Sequence, residues 1–191
     1  MITLSTFRPN YFNQNGDQAN LEVLGMQLLW RGLECEVLDA PQQNADFLLI
    51  GDASRAAMRH FEPELLQLIP LITERLNDGL PTLLVGSAHE FFAGRVDGLP
   101  ALGKTARASE FREVKASGLT AFGYRNSEVV QDLFISGAFV STTLFGPVLA
   151  KSPELLEMML TRIGASEPLP EDIKQELEGL VSEIRNRAIA G

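Results

Sequence analysis

Leu80-Pro-Thr-Leu-Leu-Val-Gly-Ser-Ala-His-Glu-Phe-Phe-Ala-Gly94 is the stretch on which the fold class turns. Residues 82–85, Thr-Leu-Leu-Val, read as a buried strand, Gly86-Ser87 marks a sharp turn, and residues 88–92 suit the opening of a helix. Strand, tight turn and helix start are the layout on which many α/β enzymes mount a nucleophile. No Cys stands at this turn.

On either side the same alternation recurs. Residues 2–7 read as a first strand, and Asp17 reads as the N-cap of a helix carrying Leu21, Leu24, Leu28 and Leu29 at helical spacing and ending at Gly32. A short strand at 35–38 follows. Phe47-Leu-Leu-Ile50 is apolar throughout, as in a parallel strand covered on both faces. A longer helical region then carries Leu65, Ile69, Ile72 and Leu76 on one stripe, with Pro63 in a first turn and Pro70 expected to kink it. The expectation is an α/β fold, a doubly wound and mostly parallel sheet with helices on both faces.

The second half is less regular. Segments 106–114, 119–124 and 133–144 hold β-branched and aromatic residues interrupted by Gly118, Gly123 and Gly137, which predicts short strands, some antiparallel. Two helices are expected at 153–163 and 170–188, the second with Ile173, Leu177, Leu180, Ile184 and Ala188 on one face. Residues 1–164 are read as one α/β domain and 165–191 as a C-terminal amphipathic helix that packs on it or on a partner.

With 191 residues, 45% of them hydrophobic, the chain can bury a sizeable core. Its 25 acidic and 16 basic residues give a net charge of −9, which argues against nucleic acid or an anionic membrane as a partner. No apolar run reaches the roughly 20 residues a membrane helix needs, and residues 1–7 lack the basic n-region of a secretory signal, so a cytoplasmic location and no membrane insertion are expected. One Cys and two His exclude a disulfide framework and any ordinary zinc site, and no cofactor is implied. Cys35, between Glu34 and Glu36, reads as structural, and His60 as a surface residue.

Further motifs carry a resemblance. Asn13-Gln-Asn-Gly-Asp-Gln-Ala-Asn-Leu21 followed by Trp30-Arg-Gly32 is similar to the N-terminal signature of cobyric acid synthase-type class I glutamine amidotransferase domains, most of all to the small, glutaminase subunit of lipid II isoglutaminyl synthase. Ala19 replaces one Gly of that pattern. Gly51-Asp52-Ala53 stands where the family has a Gly-Gly-Gly oxyanion-region loop. The family elbow Pro-x-Leu-x-x-Cys-Gly-Gly-Tyr-Gln-Leu-Leu aligns without gaps to residues 81–92, so its nucleophile falls on Gly86. Gly123-Tyr-Arg-Asn-Ser127 resembles the family's Gly-Phe-Glu-Asn-His. Thr142-Thr-Leu-Phe-Gly-Pro-Val-Leu-Ala-Lys-Ser-Pro153 resembles the segment with the catalytic His, which falls on Phe145. The resemblance spans about residues 2–160 and implies a flavodoxin-like class I amidotransferase fold.

Glutamine hydrolysis of this kind needs a thiolate, a proton-shuttling His and backbone donors for the oxyanion. Gly86 and Phe145 supply neither side chain, so both positions read as vestigial and no catalytic set is intact. A substitute nucleophile is conceivable in Ser87 with His89 or Glu90, giving a hydrolase or altered transferase; Ser87 as a helix N-cap is the plainer reading. A ligand pocket at the strand ends would be lined by Asp52, Ser54, Ser87, His89, Glu90 and Asn126. Arg112 falls near a glutamine-contacting Arg of the family but reads as solvated. The resemblance implies a Mur ligase-like synthetase partner by analogy, with a homo-oligomer as the other use of the surface. Three functions stay open: a catalytically degenerate binding or regulatory subunit, a Ser87-based enzyme, and a glutamine amidotransferase by ancestry in cobyric acid or cell-wall amidation.

Overall fold

The strands expected at 47–50 and 82–85 lie side by side at the centre of a six-stranded sheet. The structure is a computed structural model that describes residues 1–190, so Gly191, the last residue of the expected C-terminal segment, lies outside the described residues. Strands β1 (Ile2–Thr6), β2 (Cys35–Leu38), β3 (Phe47–Ile50) and β4 (Thr82–Val85) pair in parallel in the order β2-β1-β3-β4. The sheet continues through β8 (Phe139–Thr142), parallel to β4, to β7 (Leu133–Ser136), which pairs antiparallel with β8. This is a mostly parallel, doubly wound sheet of flavodoxin-like order, with its switch point between β1 and β3.

Alternation along the central strands sends side chains into two cores. Leu49, Leu83, Val85 and Val140 face one side, under α1 (Ala19–Trp30) and α7 (Pro153–Ile163). Leu48, Ile50, Leu84 and Phe139 face the other, under α3 (Glu62–Gln67), α4 (Ile69–Asn77) and α5 (Ser87–Phe92). All four residues of β3 and of β4 are buried. At about 1.5–3 kcal/mol for each large apolar side chain, these two strands anchor the fold.

Several local expectations are corrected. Asp17 is not a cap; Gln18 occupies that position, and the Asp17 side chain is buried. Leu29 is exposed while Leu21, Leu24 and Leu28 are buried, so the stripe of α1 follows its i, i+3, i+7 subset. The region after β3 is three helices, α2 (Arg55–His60), α3 and α4. Pro70 does not merely kink it: Leu68 closes α3 and Pro70 opens α4, because Pro has no N–H to give the previous turn.

In the second half, β5 (Lys104–Ala116) and β6 (Leu119–Val129) form one long antiparallel ribbon rather than short strands, joined at Ser117-Gly118. The short β9 (Leu144–Phe145) pairs with β6 and completes a three-stranded second sheet. A brief α6 (Val148–Lys151), which no sequence pattern announces, precedes α7. The last helix, α8 (Glu171–Ala190), half-buries Ile173, Leu177, Val181 and Ala188 and leaves Leu180 and Ile184 exposed. Its covered stripe therefore runs through Val181 rather than through Leu180 and Ile184. No helix of the described residues is long and apolar enough to cross a membrane.

Candidate functional site

The C-terminal ends of β1, β3, β4 and β9 converge on one network. Strand β4 ends at Gly86, whose φ of 59° and ψ of −117° make the abrupt turn into α5. An added Cβ at Gly86 would stand 2.4 Å from Cε1 of Phe145, 2.6 Å from Oδ1 of Asp52 and 2.9 Å from Cβ of Asp52. The two positions singled out in the sequence thus touch across the site. Phe145 is part of the packed core, and its ring fills the space a side chain on the turn would need.

Asp52 takes the remaining room. Its Oδ1 accepts the backbone N–H of Ser87 at 2.8 Å, and its Oδ2 accepts from Nδ2 of Asn15 at 2.8 Å. The N–H after a nucleophile position is where an α/β enzyme of this layout finds an oxyanion donor. Here a carboxylate of the chain itself occupies it. The neighbouring N–H of Ala53 is also engaged, donating to Ser87 Oγ at 2.8 Å. Gly51 permits this crossing of loops, since a Cβ there would lie 2.3 Å from the carbonyl oxygen of Phe12.

Asp17 ties the network to the rest of the fold. Its Oδ2 accepts the N–H of Asp52 at 2.7 Å and its Oδ1 the N–H of Gly146 at 2.8 Å. Burial lifts its carboxyl from 3.8 to about 6, the two backbone donors oppose that, and the charge of Asp52 adds to it. Lys151, whose Nζ donates to the carbonyl of Phe145 at 3.2 Å, is pushed below its ordinary value by burial and held up in part by Asp17.

A pH dependence follows. A carboxyl raised in the folded state binds its proton more tightly there than in the unfolded chain, so its contribution to stability is greatest below about 3.8 and is lost as pH rises through about 6. The displacement corresponds to about 3 kcal/mol. Denaturant melts of wild type and Asp17→Asn at pH 4, 5, 6 and 7 should give a stability difference that changes across this window and is flat above it; a constant difference would remove the buried-carboxyl account.

The residues proposed as a substitute catalytic set are not brought together. His89 is buried; its Nε2 lies 3.1 Å from the carbonyl of Gln131, which can only accept, so that nitrogen carries the proton. Nδ1, 2.6 Å from Ser141 Oγ, then accepts from that hydroxyl. Burial lowers the imidazole to about 4, opposed by the Gln131 carbonyl and the charge of Asp132. Both ring nitrogens are thereby spent away from Ser87, in a fully buried Ser-His pair with no access for a substrate. Ser87 itself is the first residue of α5, not its cap.

Of the other residues placed in the pocket by sequence, Glu90 is exposed and accepts from Ser127 Oγ at 2.7 Å. Ser54 caps α2, accepting the N–H of Ala57 at 3.2 Å. Asn126 is exposed on β6, where it accepts from Arg107 and Ser109. Neither Ser54 nor Asn126 bonds to the elbow network, because Ser54 serves the turn it starts and the pleat turns Asn126 to solvent. Arg112 is more than a solvated cation: it donates to Asp132 Oδ2 at 2.8 Å, beside the buried Arg125–Asp132 pair. His60 is exposed against Phe61, and burial raises the thiol of half-buried Cys35. Among the described residues no cluster of His, Cys, Asp or Glu could hold a metal ion.

The roles of Asp17, Asn15 and Lys151 are not legible in the sequence. An Asp just before a helix looks like a cap, and only the crossing of three loops gives it another role. Lys151, the one charge within α6, is the signal that points toward a buried partner.

No family model and no curated protein sequence matches the chain. Among solved structures, a glutamine amidotransferase from Thermotoga maritima superposes with a TM-score of 0.50 and 15% sequence identity, covering 97% of this chain and 90% of that one. At that identity the likeness concerns the fold, and the fold of this chain is glutamine amidotransferase-like.

Proposed function

We propose that the chain is a catalytically degenerate glutamine amidotransferase-like protein that acts as a binding or regulatory subunit, with a Mur ligase-like synthetase as the partner suggested by analogy. One observation carries this reading: the ring of Phe145 lies 2.4 Å from where any Cβ on Gly86 would be. A nucleophile has no room there, and the oxyanion donor beside it already holds Asp52. Nucleophile, base and oxyanion donor act as a unit, and losing the first two removes most of the rate in enzymes that depend on them. Cobyric acid or cell-wall amidation would then describe ancestry or the partner's reaction.

The purified chain is expected to release no ammonia from glutamine above the buffer rate, alone or with excess substrate. Sustained turnover that survives further purification would overturn the reading. A Ser-directed fluorophosphonate should leave Ser87 unlabelled, since the His two residues on is engaged with Ser141 and Gln131. Labelling lost in Ser87→Ala would revive the enzyme alternative.

A further inference from the structure

A groove of about 750 Å³ runs between α1, α7 and the first half of α8, and it shares no residue with the elbow network. Its walls are apolar: Val23, Met26 and Trp30 on α1, Leu156 on α7, Leu177 and Val181 on α8. Neither of these α8 side chains is fully buried, although the helix is 20 residues long, about 30 Å. A helix that closes a core buries a stripe completely; α8 covers its stripe by halves and keeps one side of the groove open.

Unpaired carboxylates stand on both banks of the rim and outnumber the cations there. Glu22 on α1, Glu167 in the linker and Glu178 on α8 are exposed and, among the described residues, form no ion pair. Arg31 also lines the groove, but its guanidinium is consumed by Glu157 at 2.8 Å, by Gln27 and by the carbonyl of Glu167. Among the described residues of the lining, Lys174 is the one cation left.

We propose that this groove is a docking site for an amphipathic, basic helical segment of a partner protein, its apolar face on Trp30, Met26 and Val181 and its Lys or Arg side chains against Glu22 and Glu178. Helix-in-groove recognition needs an apolar trough wide enough for one face of a helix, and flanking charge then sets which helix enters. A second copy of this chain fits poorly. Its own α8 carries Glu171, Asp172, Glu176, Glu178 and Glu183 against Lys174, Arg185 and Arg187, so it would set carboxylates against carboxylates. An uncharged apolar molecule would leave the acidic banks without a role. The proposal goes beyond the inert elbow and stands whether or not the elbow is inert.

Trp30, the only Trp of the chain, lines the groove and reports on it directly. The full chain would be titrated with an 18-residue Leu/Lys amphipathic peptide lacking Trp, and separately with its Leu/Glu counterpart, following Trp30 emission. Expected are a saturable blue shift with the basic peptide, at least tenfold tighter binding than the acidic one, and weakening by salt. Glu22→Lys combined with Glu178→Lys, both at exposed positions, should reverse the preference, and Val181→Asp should abolish the shift while circular dichroism stays unchanged. Equal binding of both peptides, no saturable shift, or a shift that grows with protein concentration alone would overturn the proposal. Glutamine hydrolysis, measured on the same preparations, is unaffected by these outcomes, so failure here is separable from failure of the inert-elbow reading.

Discussion

Gly86→Ala is expected to destabilise the fold by about 3–5 kcal/mol, and Gly86→Cys by at least as much, although each adds only one or two heavy atoms. Two effects combine. A non-Gly residue at φ 59° and ψ −117° strains the backbone, on the order of 1–3 kcal/mol. The added Cβ then meets Cε1 of Phe145 at 2.4 Å, well inside the roughly 3.5–4.0 Å of a carbon contact. Phe145 cannot swing away cheaply, because it packs with the buried cluster around Leu144 and Val148. Asp52 cannot move without releasing the Ser87 N–H and Asn15.

A double-mutant cycle separates the two effects. Phe145→Ala alone should cost about 3–5 kcal/mol as a cavity mutation. Combined with Gly86→Ala it should cost about 1–2 kcal/mol less than the sum of the singles, because the clash is relieved while the backbone strain remains. Denaturant midpoints measure all four proteins. Additivity would show that Phe145 does not fill the space beside Gly86. The corollary is that a thiol is not accommodated at this turn by one substitution: Phe145 and Asp52 have to change with it.

The central sheet was legible because β3 and β4 are covered on both faces, and a short run of apolar residues ending at a Gly, Phe47–Ile50 before Gly51 and Leu83–Val85 before Gly86, is characteristic of a buried parallel strand. The antiparallel ribbon was harder. Strand β5 is largely exposed and charged along its length, with Lys104, Arg107, Glu110, Arg112, Glu113 and Lys115, so no apolar period marks it as a strand of 13 residues. At the site, the sequence could show that Gly86 and Phe145 lack catalytic side chains. It could not show that the two are in contact, 59 residues apart, nor that Asp52 is bonded to the turn. Those facts depend on loops from different strands meeting at the sheet's edge. Ser87 and His89 mislead for the converse reason. Sequence proximity suggests a pair, whereas one turn of α5 aims His89 at β8 and leaves Ser87 beside β3.

Asp132→Ala is expected to cost about 3–5 kcal/mol, with a fall in Tm on the order of 10 °C. Asp132 is the hub of the second half of the chain. Its carboxylate receives Arg125, Arg112 at 2.8 Å and the hydroxyl of Thr143 at 2.8 Å, and its carbonyl accepts from Thr142 Oγ at 2.7 Å. The decisive partner is Arg125, whose side chain is only 2% exposed; without Asp132 its charge would keep one close acceptor, the carbonyl of Val129. Arg112, at 40%, can turn to water, so Arg112→Ala should cost no more than about 1 kcal/mol. The pair's net worth is a different quantity from the loss on breaking it, since both charges were desolvated to make it. Arg125→Met with Asp132→Leu is therefore expected to lie within about 2 kcal/mol of wild type, far above either single variant, Arg125→Met or Asp132→Leu. If the double variant were instead as unstable as the sum of the singles, Asp132 would be holding the Thr142–Thr143 turn and not a buried charge.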